Sequence, residues 1–176
     1  RSWLTRTDKR FDVIQISLID TWAATSAGAF ALSENSLYTV DAWETFFDRL
    51  EPGGMLSISR WYNTGPSTEP FETLRTASLA SEVLTRNGAE DPRDHVLIYE
   101  GAPGPYGTSA ATILISPEPL TDDQITVTAE SAERLGFRPI LTPTDVADER
   151  FADLVAPGGP DAGLATFDED LSPPTD

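Results

Sequence analysis

Apolar positions in this chain fall into short runs that alternate with stretches of helical period. The run FDVIQISL at 11–18, bounded by Asp8-Lys9-Arg10, has the length and near-continuous apolarity of a strand buried on both faces of a parallel sheet. Residues 19–38 are rich in Ala, Ser, Thr and Gly without clear periodicity, which predicts a long loop of the kind that carries function. Thr39 can cap the helix that follows. There Val40, Trp43, Phe47 and Leu50 recur at helical spacing, Asp41 and Glu44 suit the positive end, and Pro52-Gly53-Gly54 predicts the stop. MLSISRW at 55–61 then reads as a second strand, closing a right-handed strand-helix-strand unit with parallel strands.

The second half repeats the alternation. Thr68 as N-cap, Pro70 in the first turn, an inward face of Phe71, Leu74, Ala77 and Leu84, and Asn87-Gly88 as the stop predict a second helix. HVLIYE at 95–100 is a third strand. A turn-rich stretch, GAPGPYGT, leads to SAATILIS at 109–116, a fourth strand able to fold back antiparallel on the third. Thr121-Asp122-Asp123-Gln124 is a capping-box pattern that opens a helix ending near Leu135-Gly136, and residues 139–141 can add a short strand. A last helix is predicted within 144–155, and the Pro, Gly and Asp-rich remainder from Ala156 reads as a loose tail. The whole predicts an α/β sandwich with a mostly parallel sheet and an antiparallel strand at its end.

Composition narrows the chemistry. With 176 residues and 39% apolar content the chain is one ordinary domain able to bury a core. It contains no cysteine and a single histidine, His95, which excludes disulfides, thiolate nucleophiles and multi-histidine metal sites within these residues. A net charge of -17, with eleven Arg and only Lys9 among lysines, argues against nucleic acid and fits a cationic partner. The same charge also serves plain solubility. No apolar run is long enough to span a membrane, so a cytoplasmic location is expected, without membrane contact by this segment. A start at Arg1 is also compatible with a soluble piece of a larger, membrane-anchored protein. No G-x-G-x-x-G follows any strand, so either the fold is a smaller one or the first half of a nucleotide-binding sheet lies outside this chain.

FDVIQISLIDTWAA followed by ALSENSLYTVDAWETFFDRLEPGGMLSISRW resembles the centre of the spermidine synthase (polyamine aminopropyltransferase) family and its methyltransferase-fold relatives, over residues 10–62. The closing LSPPTD is similar to a family segment near the active-site rim. The resemblance implies that residues 1–142 form the C-terminal half of a Rossmann-like, class I methyltransferase-type sandwich. Residues 143–176 would supply a short helix and a loosely ordered acidic tail. It also implies S-adenosylmethionine or its decarboxylated form as cofactor, at a site incomplete in this chain, and a cationic substrate such as a polyamine.

In that family the first strand ends in a D-x-x-D loop whose first Asp is the base. Here Ser17 stands at that place and Asp20 matches the second, substrate-holding Asp. A serine hydroxyl without an adjacent histidine is a poor base near neutral pH, which favours a methyltransferase, or a non-catalytic binding or regulatory domain, as alternatives. Asp20 is otherwise a loop-turn aspartate, and Ser17 a small residue ending a strand. Trp22 can stack on an adenine or plug the core. Glu34 and Tyr38, in SENSLYT, are candidates for the substrate mouth. Arg60-Trp61-Tyr62, ending the second strand, line either the pocket's far wall or the loop beyond it. His95 reads as structural or exposed. Asp122-Asp123 reads as helix capping and Asp168-Glu169-Asp170 as a solvated tail, so no metal is assigned. A sheet lacking its first strands would expose the apolar edge that Phe11 opens and Leu18 closes, which predicts self-association through it or its coverage by the chain's own N-terminal residues.

Overall fold

A computed structural model describes residues 1–18, 37–63, 69–104 and 108–175. Within these, five strands form one sheet: β1 (Phe11–Ile16), β2 (Leu50–Tyr62), β3 (Val96–Glu100), β4 (Ser109–Ile115) and β5 (Arg138–Leu141). Their spatial order is β1-β2-β4-β3-β5. Helices α1 (Val40–Phe47), α2 (Phe71–Arg86), α3 (Asp122–Leu135), α4 (Glu149–Leu154) and α5 (Asp161–Leu164) complete the α/β architecture, with 3-10 turns at Leu4–Arg6 and Pro92–His95.

The expectation of a mostly parallel sheet is corrected by the pairing. Only β1 and β2 pair in parallel, whereas β2–β4, β4–β3 and β3–β5 are antiparallel. The physical cause is the place of β4. It follows β3 through a short connection, which forces antiparallel pairing, and it then inserts between β3 and β2 instead of extending the edge. Strands β1, β2 and β3 therefore run the same way, and β4 separates two of them.

β1 is also not buried on both faces. As the edge strand it has one neighbour, and helices cover one of its faces, so Ile16 is buried and Ile14 half-buried while Asp12, Val13 and Gln15 are exposed. Apolar exposure at this edge rests on Val13, which is 58% exposed. α1 ends at Phe47, short of the expected Leu50, because LEPGG joins β2: the register against β1 shifts between Phe11 and Val13. Gly54 permits that approach, since a Cβ there would lie 3.0 Å from the Phe11 carbonyl oxygen.

The core lies between the sheet and the layer of α1, α2 and α4. Trp43, Phe46, Leu56, Ile58, Leu84, Ile113 and Phe151 are fully buried there. At about 1.5–3 kcal/mol per large side chain, this burial is the main stabilising term. α4 is shorter than expected, and the segment after Ala156 is not loose against the core: Gly163 and Leu171 are buried, and the Pro174 carbonyl accepts the Val40 N–H at 2.9 Å. A few apolar residues among Pro and Gly suffice: Leu171 joins the core, and Leu164 and Phe167 pack against it. On the opposite face α3 packs over β3 and β5 through a small cluster of Leu97, Tyr99 and Ala132. No helix of the described residues is long and apolar enough to cross a membrane.

Candidate functional site

Ligands of open α/β sheets bind beyond the carboxyl ends of parallel strands. At that edge of β2 the structure has a cleft of about 170 Å³, lined by Tyr38, Arg60, Glu72, Arg75, Thr76 and Pro174 among others. Its walls are set by local chemistry. Thr39 caps α1 by accepting the Ala42 N–H at 3.2 Å, and the Trp43 indole donates to the Leu37 carbonyl at 3.0 Å, which fixes the approach of Tyr38. Across the cleft, the Thr73 hydroxyl donates to the Trp61 carbonyl at 2.9 Å and ties the end of β2 to the first turn of α2.

These anchors bring Arg60 over the Tyr38 ring, with its guanidinium carbon 4.7 Å from the centroid, and within 3.0 Å of the Glu72 carboxylate. The Arg60 side chain is only 12% exposed, so the cation–π contact and ion pair act in a partly desolvated setting. Arg75 donates through Nε to the Asp170 carbonyl at 3.0 Å, and Pro174 closes the far side. Two guanidinium groups and one carboxylate therefore face a small, half-open space.

Beyond Arg60 on the same strand face, Tyr62 joins a second polar group. Its hydroxyl donates to Asp148 Oδ2 at 3.3 Å, and Arg150 grips Asp148 through Nε at 2.9 Å and Nη2 at 2.6 Å while also pairing with Glu69. Burial, reinforced by the Asp148 and Glu100 carboxylates, pushes the Tyr62 phenol up to about 12. Burial alone would raise the Asp148 carboxyl, but the Arg150 contacts outweigh it and hold it below its usual range. A phenol so reluctant to ionise is no base near neutral pH, and the cluster knits β2 to the start of α4.

Of the residues singled out from sequence, Tyr38 and Arg60 meet in the cleft. Ser17 is exposed just past β1. Asp20, Trp22 and Glu34 lie outside the described residues. Trp61 points to the opposite face from Arg60, and Tyr62 belongs to the Asp148 cluster. His95 is buried, with Nδ1 3.0 Å from the Ser116 carbonyl oxygen, a structural bond. Asp122 and Asp123 sit in the first turn of α3, behind a complete Thr121–Gln124 capping box. Among the described residues no group of three or more His, Asp or Glu side chains could hold a metal.

Pro174 belongs to the LSPPTD segment already singled out in the sequence, whereas Glu72 and Arg75 carry no such signal. Glu72 and Arg75 read in the sequence as ordinary charges on a helix surface, and only the position of β2 against α2 turns them toward Tyr38. No protein-family model matches the chain, and no curated protein sequence matches it.

Proposed function

We propose that this chain is the C-terminal half of a spermidine synthase-like, methyltransferase-fold transferase domain, inactive alone, whose intact form uses S-adenosylmethionine or decarboxylated S-adenosylmethionine. The observation that carries this reading is the meeting of Tyr38 and Arg60. They come from the two segments of the resemblance, SENSLYT and MLSISRW, and face one cleft at the carboxyl end of the parallel pair. The outer edge of β1, unpaired among the described residues, supports it as well, since it is where further strands of a larger sheet, or a second copy of this chain, would add.

Within this reading a methyltransferase of another small acceptor is favoured over aminopropyl transfer. Ser17 stands where a base is needed. Calorimetric titration of the intact protein with both nucleosides tests the assignment. Saturable binding of S-adenosylmethionine, weakened about tenfold or more by Arg60→Gln, is the expected result. Binding of the decarboxylated form alone would restore the aminopropyl reading, and binding of neither would leave a non-catalytic domain. Sedimentation of this chain over a range of concentrations tests the edge: reversible association lost in Val13→Lys is expected, and a monomer at every concentration overturns it.

A further inference from the structure

We propose that the groove between α3 and the β3–β5 edge of the sheet binds a small amphipathic cation, an ammonium group carried on a flat apolar body. The groove lies apart from the cleft at Arg60, and the proposal does not depend on the reading given to that cleft. Its volume is about 500 Å³, in the range of small-molecule sites.

The apolar part is built by Tyr99, Ile125, Ala132 and Phe137. α3 lines the groove with Ala129 and Ala132, whose methyl groups leave open the volume that larger side chains would fill. Phe137 is held as a wall by Gly101, where an added Cβ would come within 3.3 Å of the ring. Tyr99 is only 5% exposed, yet its hydroxyl makes no hydrogen bond with any described residue. That hydroxyl can donate to or accept from a ligand seated in the groove.

Charge sets the sign of the ligand. Glu133 and Asp145 both line the groove, and neither forms an ion pair among the described residues. Asp145 is held in a tight turn, its N–H donating to Thr142 Oγ1 at 2.9 Å and its carbonyl accepting the Thr142 N–H at 2.8 Å. Burial first and the nearby Asp145 carboxylate second raise the Tyr99 phenol above its ordinary range, so it keeps its proton and stays neutral. The one cation among the described lining residues, Arg138, pairs with Glu100 at 2.7 Å. Two unneutralised carboxylates around an unpartnered hydroxyl, with apolar walls below, match an ammonium head and an aromatic or branched aliphatic tail.

The experiment is titration of the full chain with phenethylammonium at about 0.15 M salt, followed by amide NMR, with 2-phenylethanol as the neutral control. Saturable shifts confined to the surroundings of Tyr99, Ala132, Phe137 and Asp145 are expected. The double variant Glu133→Gln, Asp145→Asn should weaken phenethylammonium about tenfold and leave the alcohol unchanged. Ala129→Trp, at an exposed helix position, should abolish binding of both. Absence of saturable binding, shifts scattered over the acidic surface, or a double variant that binds as tightly as the parent would each overturn the proposal.

Discussion

Helices α2 and α3 are close in length and opposite in what holds them. α2 buries ten of its sixteen residues between the sheet, α1 and α4, and begins at Pro70 without a side-chain cap. α3 buries only Ala132 of its fourteen, but it has a reciprocal capping box at Thr121 and Gln124 and ends on Gly136 at φ 77°. One helix is stabilised by what it excludes from water, the other by the satisfaction of its own ends. Packing therefore dominates on one face of the sheet and local chemistry on the other.

The largest effect follows from this contrast. Leu84→Ala removes a fully buried side chain of α2 and should cost about 2–5 kcal/mol, whereas Leu135→Ala on α3, where Leu135 is 65% exposed, should change stability by about 0.5 kcal/mol or less. Urea unfolding of the two variants measures the ratio. Comparable losses would mean that α3 has a packed partner that the exposure of Leu135 conceals.

Next in size is an alkaline effect on the packed face. Tyr62 is 7% exposed and its phenol lies at about 12, against 10.0 in the unfolded chain. The folded state therefore keeps a proton that the unfolded chain releases. The stabilisation is complete below pH 10 and is lost as pH rises toward 12, by about 3 kcal/mol across the interval. Tyr62→Phe should flatten that part of the stability curve, and an unchanged alkaline slope would show that another group governs it.

The same contrast explains what was legible in the sequence. Caps and turns are written in a few adjacent residues, so Thr121, Gln124 and Gly136 marked α3 to within a residue, and Phe71, Leu74 and Leu84 marked α2. Sheet order is set by tertiary competition. Nothing in SAATILIS says that β4 inserts beside β2, and nothing in FDVIQISL distinguishes a central strand from an edge one. The cleft was half legible: Tyr38 and Arg60 end predicted elements and Pro174 lies in the singled-out LSPPTD segment, but Glu72 and Arg75 reach it through packing alone. The tail's composition suggests looseness, whereas Leu171 sits in the core and Leu164 and Phe167 pack against it.

On the locally held face, Thr121→Ala removes both the acceptor for the Gln124 N–H at 3.2 Å and the geometry that returns Gln124 Oε1 to the Thr121 N–H at 2.9 Å. A loss of about 1 kcal/mol is expected for α3. Because α3 buries so little, that loss should appear as faster amide exchange along α3 with β4 and α2 unchanged. Uniform loss of protection across the molecule would mean that α3 unfolds only with the core.

The smallest effect has the opposite sign and belongs to α2. Ser81 is fully buried on the helix, and its hydroxyl has no hydrogen-bond partner among the described residues, like that of Ser78 one turn before it. Along the same stripe Thr85 faces Gly159, where the segment before α5 turns at a φ of +95° that favours glycine. Small side chains are needed there for close approach, but the oxygen is not. Ser81→Ala keeps the volume nearly constant, removes a desolvated polar atom and raises helix propensity, so a gain of about 0.5–1 kcal/mol is expected in urea unfolding. Thr126→Ala, at an exposed position of α3, should gain only the propensity part, about 0.5 kcal/mol. A destabilised Ser81→Ala would show that the hydroxyl is satisfied after all, and would remove one of the reasons for treating α2 as a helix held by packing alone.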